Sequence, residues 1–471
     1  MTKHESKDPE IHKPHMPFLI FICLASALGG LLWGFDAIVI SGTINPVKLQ
    51  FALTPGWEGF FVSSGLIGAV IGSGAAGWLS DRFGRSRNLI LAAILLWISA
   101  MGSATANSIG VLTFARWLGG LGVGISAMVC PLYISEISPT HMRGRLVTVF
   151  QFAITIGIML ALFNNFGLHH WALSMHETVL EGSFMKHFLV DETWRAMFAS
   201  ELVPGLLFLI LAFMLPESPR WLIKAGQNER AQTVLNRIFL TGADQEFDMM
   251  RETIAKESVT KKRFVDVFHK CYRKPLIIAM LLAAFAQLSG INVVFYYGTS
   301  MLETAGLKAD GALSGMAVIG ACNMVFTVIA MCFVDKIGRR KLLQIGTLGA
   351  ILCLVGIGTT FSTGANTMLI ILMCSFVAFF SFSLGPIKFI FASEIFPTNI
   401  RSHAMSIAIL TLWLTDTLVG QFTPMLREAV GPSGTFFIFA GILVPQIFLI
   451  WKVMPETAGR SLEEIESWYS N

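Results

Sequence analysis

The chain has 471 residues, of which 54% are hydrophobic and 14% charged, with a net charge of +4 and a mean hydropathy of +0.66. A soluble protein carries about 25% charged residues, so much of this surface is expected to face lipid. The basic excess is small and sits in loops, which points to membrane topology and argues against nucleic-acid binding.

Taken in chain order, Met1 to Pro17 is polar and lacks the apolar core of a signal peptide, so the first hydrophobic run is expected to be retained. An apolar stretch of about 20 residues spans a bilayer. Twelve such stretches are predicted, at 18–40, 59–79, 88–106, 109–134, 146–168, 194–215, 275–297, 312–334, 342–361, 367–391, 402–425 and 434–454. The expected fold is an all-α integral membrane protein with two six-helix bundles. Its parts are an N-terminal tail 1–17, a bundle 18–215, a linker 216–274, a second bundle 275–454 and a C-terminal tail 455–471. Within the linker, Glu229 to Arg237 and Phe247 to Ser258 carry charge at helical spacing. They read either as short amphipathic helices against the membrane ends or as a solvated connector. The stretch 168–193 is long and His-rich and has no assigned role.

Orientation follows from Lys and Arg. With the N-terminus inside, 27 of the 34 basic residues are cytoplasmic and five external, while Arg116 and Lys388 lie within the membrane. This asymmetry puts both termini and the linker in the cytoplasm. Six of the seven cysteines fall in apolar runs and Cys271 in a basic stretch, so no disulfide framework is expected. No zinc-type spacing and no phosphate-binding glycine loop with Lys-Ser/Thr occurs, so neither a metal nor ATP is expected, nor an enzyme activity. No Asn-x-Ser/Thr acceptor occurs, which fits a bacterial inner membrane. Nothing demands more than a monomer.

The second half repeats the punctuation of the first. Ser135-Glu136 through Arg143 returns as Ser393-Glu394 through Arg401. Asp81-Arg82-Phe83-Gly84-Arg85 returns as Asp335-Lys336-Ile337-Gly338-Arg339. Pro216-Glu217-Ser218-Pro219-Arg220 has a counterpart in Pro455-Glu456-Thr457. For one basic loop, plain positive-inside anchoring would suffice. Three charged motifs in register at the ends of apolar runs suggest a cytoplasmic gate formed by Asp81, Arg85, Glu136, Arg143, Glu217, Arg220, Asp335, Arg339, Glu394, Arg401 and Glu456. Two similar membrane halves with the same hinges are the plan of a rocking transporter.

On these motifs the chain resembles the major facilitator superfamily. With Gln287-Leu-Ser-Gly-Ile-Asn292 and the two Pro-Glu motifs added, it resembles the sugar porter family over nearly its whole length. The resemblance implies the twelve-helix fold, alternating access and a monosaccharide or related polyol as cargo.

Ionisable residues inside the membrane are costly and so are functional candidates. They are Asp36, Arg116, Glu201, Lys388 and Asp416. Asp36 on the first span and Arg116 on the fourth read either as a static ion pair or as a proton carrier with a fixed counter-charge. Proton-coupled bacterial sugar porters have Asp and Arg at the two matching places, whereas facilitative carriers have a neutral residue at the first. The resemblance therefore implies proton coupling. Glu201 reads as structural, near the external end.

Sugars are bound by amides and aromatic faces. The positions that match are Gln151, Gln287, Asn292 and Asn323, with Trp33, Tyr296, Phe389 and Trp413. Singly, each amide reads equally as an interhelical hydrogen bond. Gln287 and Asn292 are five apart, offset by about 140° on one helix. The chain departs from the family at Ala286, where a second Gln is usual, at Lys388-Phe389, where a Trp is usual at the second position, and at Asp416, often Asn. Three readings of Lys388 stay open: a silent pair with Asp416, a contact for a substrate carboxylate, or part of the proton path. The expected function is proton-coupled sugar symport. The alternatives are transport of a sugar acid, uniport and, from a different class, a non-transporting sugar sensor. The short tail after Pro455 argues against the sensor.

Overall fold

In the computed structural model, residues 14–139, 142–175, 183, 185–260, 264–363, 366–396 and 400–457 are described. Among them the chain is helical, without strands. The first half is α1 (Met16–Gln50), α2 (Pro55–Phe83), α3 (Arg85–Thr105), α4 (Ile109–Ile137), α5 (Arg143–Met175), α6 (Thr193–Ala199) and α7 (Leu202–Met214). The linker forms α8 (Pro219–Lys224), α9 (Asn228–Ile238) and α10 (Ala243–Thr260). The second half is α11 (Lys270–Leu288), α12 (Ile291–Thr304), α13 (Ala309–Ile337), α14 (Arg339–Thr363), α15 (Asn366–Phe379), α16 (Gly385–Ile395) and α17 (Arg401–Phe448).

Among the described residues, eleven stretches are long and apolar enough to cross a membrane. The last joins two helices at Gly431, whose φ of 74° and ψ of 169° are non-helical, so the crossings number twelve. Most helices overrun their predicted spans. α1 and α2 begin at Met16 and Pro55, each with proline in the first turn, where its missing N–H costs nothing. The sixth crossing is split at Ser200–Glu201 into α6 and α7. Both predicted linker helices form, and Arg237 of α9 stacks 4.6 Å over the Phe18 ring at the start of α1. Of the stretch 168–193, residues 168–175 continue α5, and 176–182 with 184 lie outside the described residues.

Surface chemistry explains the orientation of single helices. On α7 only Gly205, Phe208 and Ala212 are buried, at three- and four-residue spacing, while Val203, Ile210 and Phe213 are exposed. In water that face would be a liability; against acyl chains it is solvated. Inside each half, small residues allow backbones to touch. Gly68 and Gly72 of α2 meet Trp117 and Leu121 of α4, and Gly120 and Gly124 of α4 meet Gly65 and Ala69 in return, with no room for a Cβ on any of the four. The halves meet where α2 packs on α17, α5 on α13 and α1 on α12.

The end of the bundle that carries α8–α10 is here the linker face; the opposite end, with the α1–α2 turn, is the far face.

Candidate functional site

Two short turns organise the linker face. Gly84 (φ 94°) links α2 to α3, and Gly338 (φ 90°) links α13 to α14, so the repeat preserves a left-handed turn in both halves. Each turn aims a helix N-terminus at a carboxylate. Glu217 Oε1 accepts the N–H of Arg85 at 2.7 Å and of Ser86 at 3.2 Å. Glu456 accepts the N–H of Arg339 at 2.9 Å and of Arg340 at 3.0 Å. Helix N-termini favour anions in this way. Burial pushes the Glu217 carboxyl above its ordinary range, against the pull of the Ser218, Arg85 and Ser86 N–H donors.

The side chains repeat as well. Arg85 forks onto Glu136, Nε to Oε2 and Nη2 to Oε1, both at 2.9 Å, and the Ser218 hydroxyl donates to Glu136 at 2.5 Å. Arg339 Nη2 donates to Glu394 at 2.8 Å, and the Thr457 hydroxyl donates to Glu394 at 2.5 Å. Among the described residues, Glu136 and Glu394 do not take Arg143 and Arg401, the arginines that end the same motifs, as their partners. Each glutamate takes its arginine from the preceding loop motif, because that arginine sits at a helix start directly beneath it. Arg143 leaves Nε without a hydrogen-bond partner, and Arg401 Nε donates to the Phe396 carbonyl at 3.2 Å. Asp81 lies 3.4 Å from Arg85, Arg220 sits in α8, and the Asp335 side chain lies outside the described residues. Each of these bonds stays within one half or ties that half to the segment that directly follows it.

At mid-height, Asp36 and Arg116 form a buried ion pair, each side chain 4% exposed. Arg116 Nη1 donates to Asp36 Oδ1 at 2.5 Å and to its backbone carbonyl at 3.0 Å. The α6–α7 break brings the buried Glu201 close to Asp36 and Arg116, with its Oε1 left without a hydrogen-bond partner. Glu201, read from sequence as structural, thus stands beside the Asp36–Arg116 pair. Its position in an apolar run was visible in the sequence; the helix break that turns it inward was not.

Asp36 and Arg116 line one side of a cavity of about 20 Å³ whose other walls include Trp33, Tyr296 and Trp413. Trp33 of α1 and Trp413 of α17 touch across the two halves, ring centroids 5.3 Å apart. That volume holds about one water molecule and no hexose, so a sugar enters only when the halves part.

The amides divide. α11 ends at Leu288, Gly290 turns with φ 79°, and α12 starts at Ile291, so Gln287 and Asn292 do not share a straight helix and the 140° offset does not apply. Gln287 is buried at the end of α11. Asn292 donates to Asp416 Oδ1 at 2.8 Å, and Tyr296 donates to Oδ2 at 3.2 Å. Asn323 accepts from the Ser381 hydroxyl at 2.7 Å, an interhelical bond. Gln151 is exposed on α5, beside Phe150, which packs on Trp33. Lys388 and Phe389 line a separate cavity of about 10 Å³. The Lys388 ammonium lies over the Phe389 and Phe380 rings at 5.2 and 5.5 Å. Among the described residues Lys388 forms no direct ion pair, and Asp416, its partner in one of the three readings, takes its hydrogen bonds from Asn292 and Tyr296 instead.

A buried charge cluster at the centre of a two-halved helical bundle, closed by aromatics from both halves, defines a multi-pass membrane transporter of the major facilitator fold. Residues 22–469 match the family described as "Sugar (and other) transporter", and the chain belongs to that family of sugar porters. It is 37% identical to the arabinose-proton symporter of Bacillus subtilis over 473 residues, 99% of this chain and 98% of the other. It is 35% identical to the D-xylose-proton symporter of Escherichia coli over 491 residues, covering 96% and 95% of the two chains. Among solved structures, the inward open conformation of the E. coli xylose transporter superposes with a TM-score of 0.79 at 32% identity, covering 96% of this chain and all of that one.

Proposed function

We propose that the chain moves a monosaccharide or related polyol together with a proton across a bacterial inner membrane by alternating access. The linker face and both termini are cytoplasmic in this reading, supported by the concentration of Lys and Arg there. The observation that carries it is the Asp36–Arg116–Glu201 cluster opening onto the cavity that Tyr296 and Trp413 close from the other half. Arg116 stays charged throughout, so a proton arriving at Asp36 releases the carboxyl from its partner. Cargo settling between Trp33 and Trp413 would be felt at the same place. Gln151, Gln287, Asn292, Asn323 and Phe389 are assigned to sugar binding, and the turn-and-glutamate clasps to the cytoplasmic gate. The relatives named as sugar-proton symporters support the same reading. No cofactor or metal is required, and the working unit is a monomer in the lipid bilayer.

The test is external pH in lightly buffered vesicles during addition of pentoses, hexoses, inositols and hexuronates. Alkalinisation with a neutral sugar, lost in Asp36→Asn while labelled sugar still exchanges, is the expected outcome. Exchange without any pH change in the wild type would leave a uniporter. A second reading, a sugar acid as cargo, draws on the Lys388 ammonium lying over two aromatic rings with no direct ion pair among the described residues; alkalinisation with hexuronates alone, lost in Lys388→Met, would establish it.

A further inference from the structure

The far face holds a charged group that belongs to neither the central site nor the repeated motifs. Glu58, in the first turn of α2, is fully buried. Both its oxygens are engaged by cations. Lys48, in the last turn of α1, donates to Oε2 at 2.6 Å. Arg427 of α17, in the other half, donates to Oε1 at 2.8 Å, and its second Nη donates to the Ser300 hydroxyl of α12 at 3.1 Å. One carboxylate thus ties α1 and α2 to α12 and α17.

Other bonds between the halves lie at the same end. The Ser41 and Thr299 hydroxyls are 2.9 Å apart, the Asn45 amide donates to Glu303, and Gln421 bridges Ser63 at 2.7 Å and the Gly56 carbonyl at 3.1 Å. The clasps described at the linker face, in contrast, act within a half. We propose that Glu58 is the gate residue of the far face, holding it shut by pairing with Arg427 across the halves.

The physics makes it a two-state element. A buried carboxylate stripped of one cation is strongly disfavoured. With the halves closed, it is dry and doubly paired. With them open, Glu58 and Arg427 are both hydrated. The half-open arrangement, dry and unpaired, is the costly one, so the face snaps between two arrangements. Removing the carboxylate charge leaves Lys48 and Arg427 facing each other and favours opening. The inference adds an outer gate to the transport cycle proposed above and rests on alternating access alone, not on the identity of cargo or coupling ion.

The test needs no sugar. Val62 lines the central cavity one turn inward of Glu58 on α2. In Val62→Cys, labelling by a membrane-impermeant maleimide is followed in right-side-out and inside-out vesicles, with labelling of the parent chain subtracted. Adding Glu58→Gln is expected to raise the rate at least threefold from the far face and to lower it from the linker face. Arg427→Gln, made in the other half, is expected to do the same, and the double variant no more than either alone. A merely loosened fold would raise labelling from both faces. Unchanged rates, a rise from both faces, or additive effects of the two substitutions would overturn the proposal. Should Glu58→Gln fail to fold, Arg427→Gln alone decides between these outcomes.

Discussion

The two linker-face clasps are repeats in sequence but differ in burial, which makes an unequal response to the same mutation a sharp expectation. The Arg85 and Glu136 side chains are 4% and 5% exposed, whereas Arg339 and Glu394 are 10% and 26% exposed. Arg85→Ala leaves a buried carboxylate with the Ser218 hydroxyl as its remaining named partner. Breaking a buried pair from one side costs about 3–5 kcal/mol. Glu394 is a quarter exposed, so water replaces part of what Arg339→Ala removes, and about 1–2 kcal/mol is expected. The losses differ by about 1–4 kcal/mol, so at about 2–4 °C per kcal/mol the first variant should melt about 2–16 °C below the second in detergent, followed by tryptophan fluorescence. Adding Glu136→Gln to Arg85→Ala should recover part of the loss, because the orphan charge is gone. Equal losses in the two halves, or a larger one for Arg339→Ala, would refute the burial reasoning.

Two other expectations follow from the geometry. Gly290→Ala places a Cβ 2.8 Å from the Phe439 ring at φ 79°, so it should cost about 1–3 kcal/mol, read as a lower melting temperature, while Ala at the exposed and unhindered Gly77 should leave the melting temperature unchanged. Ser41→Cys with Thr299→Cys, whose hydroxyls stand 2.9 Å apart across the halves, should cross-link under mild oxidant and stop transport. A reductant should restore it; transport unaffected by a formed cross-link would show that the far face need not open there.

How legible each feature was depends on how local its cause is. The crossings could be read because apolar length is a property of one segment, and the turns at Gly84 and Gly338 because they recur with the same charged neighbours. Asp36 and Arg116 could be paired only by resemblance: 80 residues separate them, and no periodicity connects positions on two helices. Arg85 and Glu136 both stand out in the repeated motifs, but their mutual pairing does not, since 51 residues separate them and only helix packing brings them together. Glu201 reads from sequence as structural and near the external end; the break in the sixth crossing that turns it toward Asp36 cannot be inferred from hydropathy. Glu58 carries no signal in the sequence, because a single carboxylate at a helix start is ordinary until Lys48 and Arg427 close on it.

The sequence by itself determined that this chain crosses a membrane many times, that it does so as two similar halves, and that a few charges are retained where lipid makes them expensive. Those are consequences of composition, segment length and repetition, which act locally along the chain. Only the tertiary structure decided which charge meets which. It put Asp416 against Asn292 and Tyr296 and left Lys388 over aromatic rings. It placed the named clasps within the halves at the linker face and bonds between the halves at the far face. Ion pairs depend on distances of a few ångströms between side chains from different helices, and only the packing of those helices sets them.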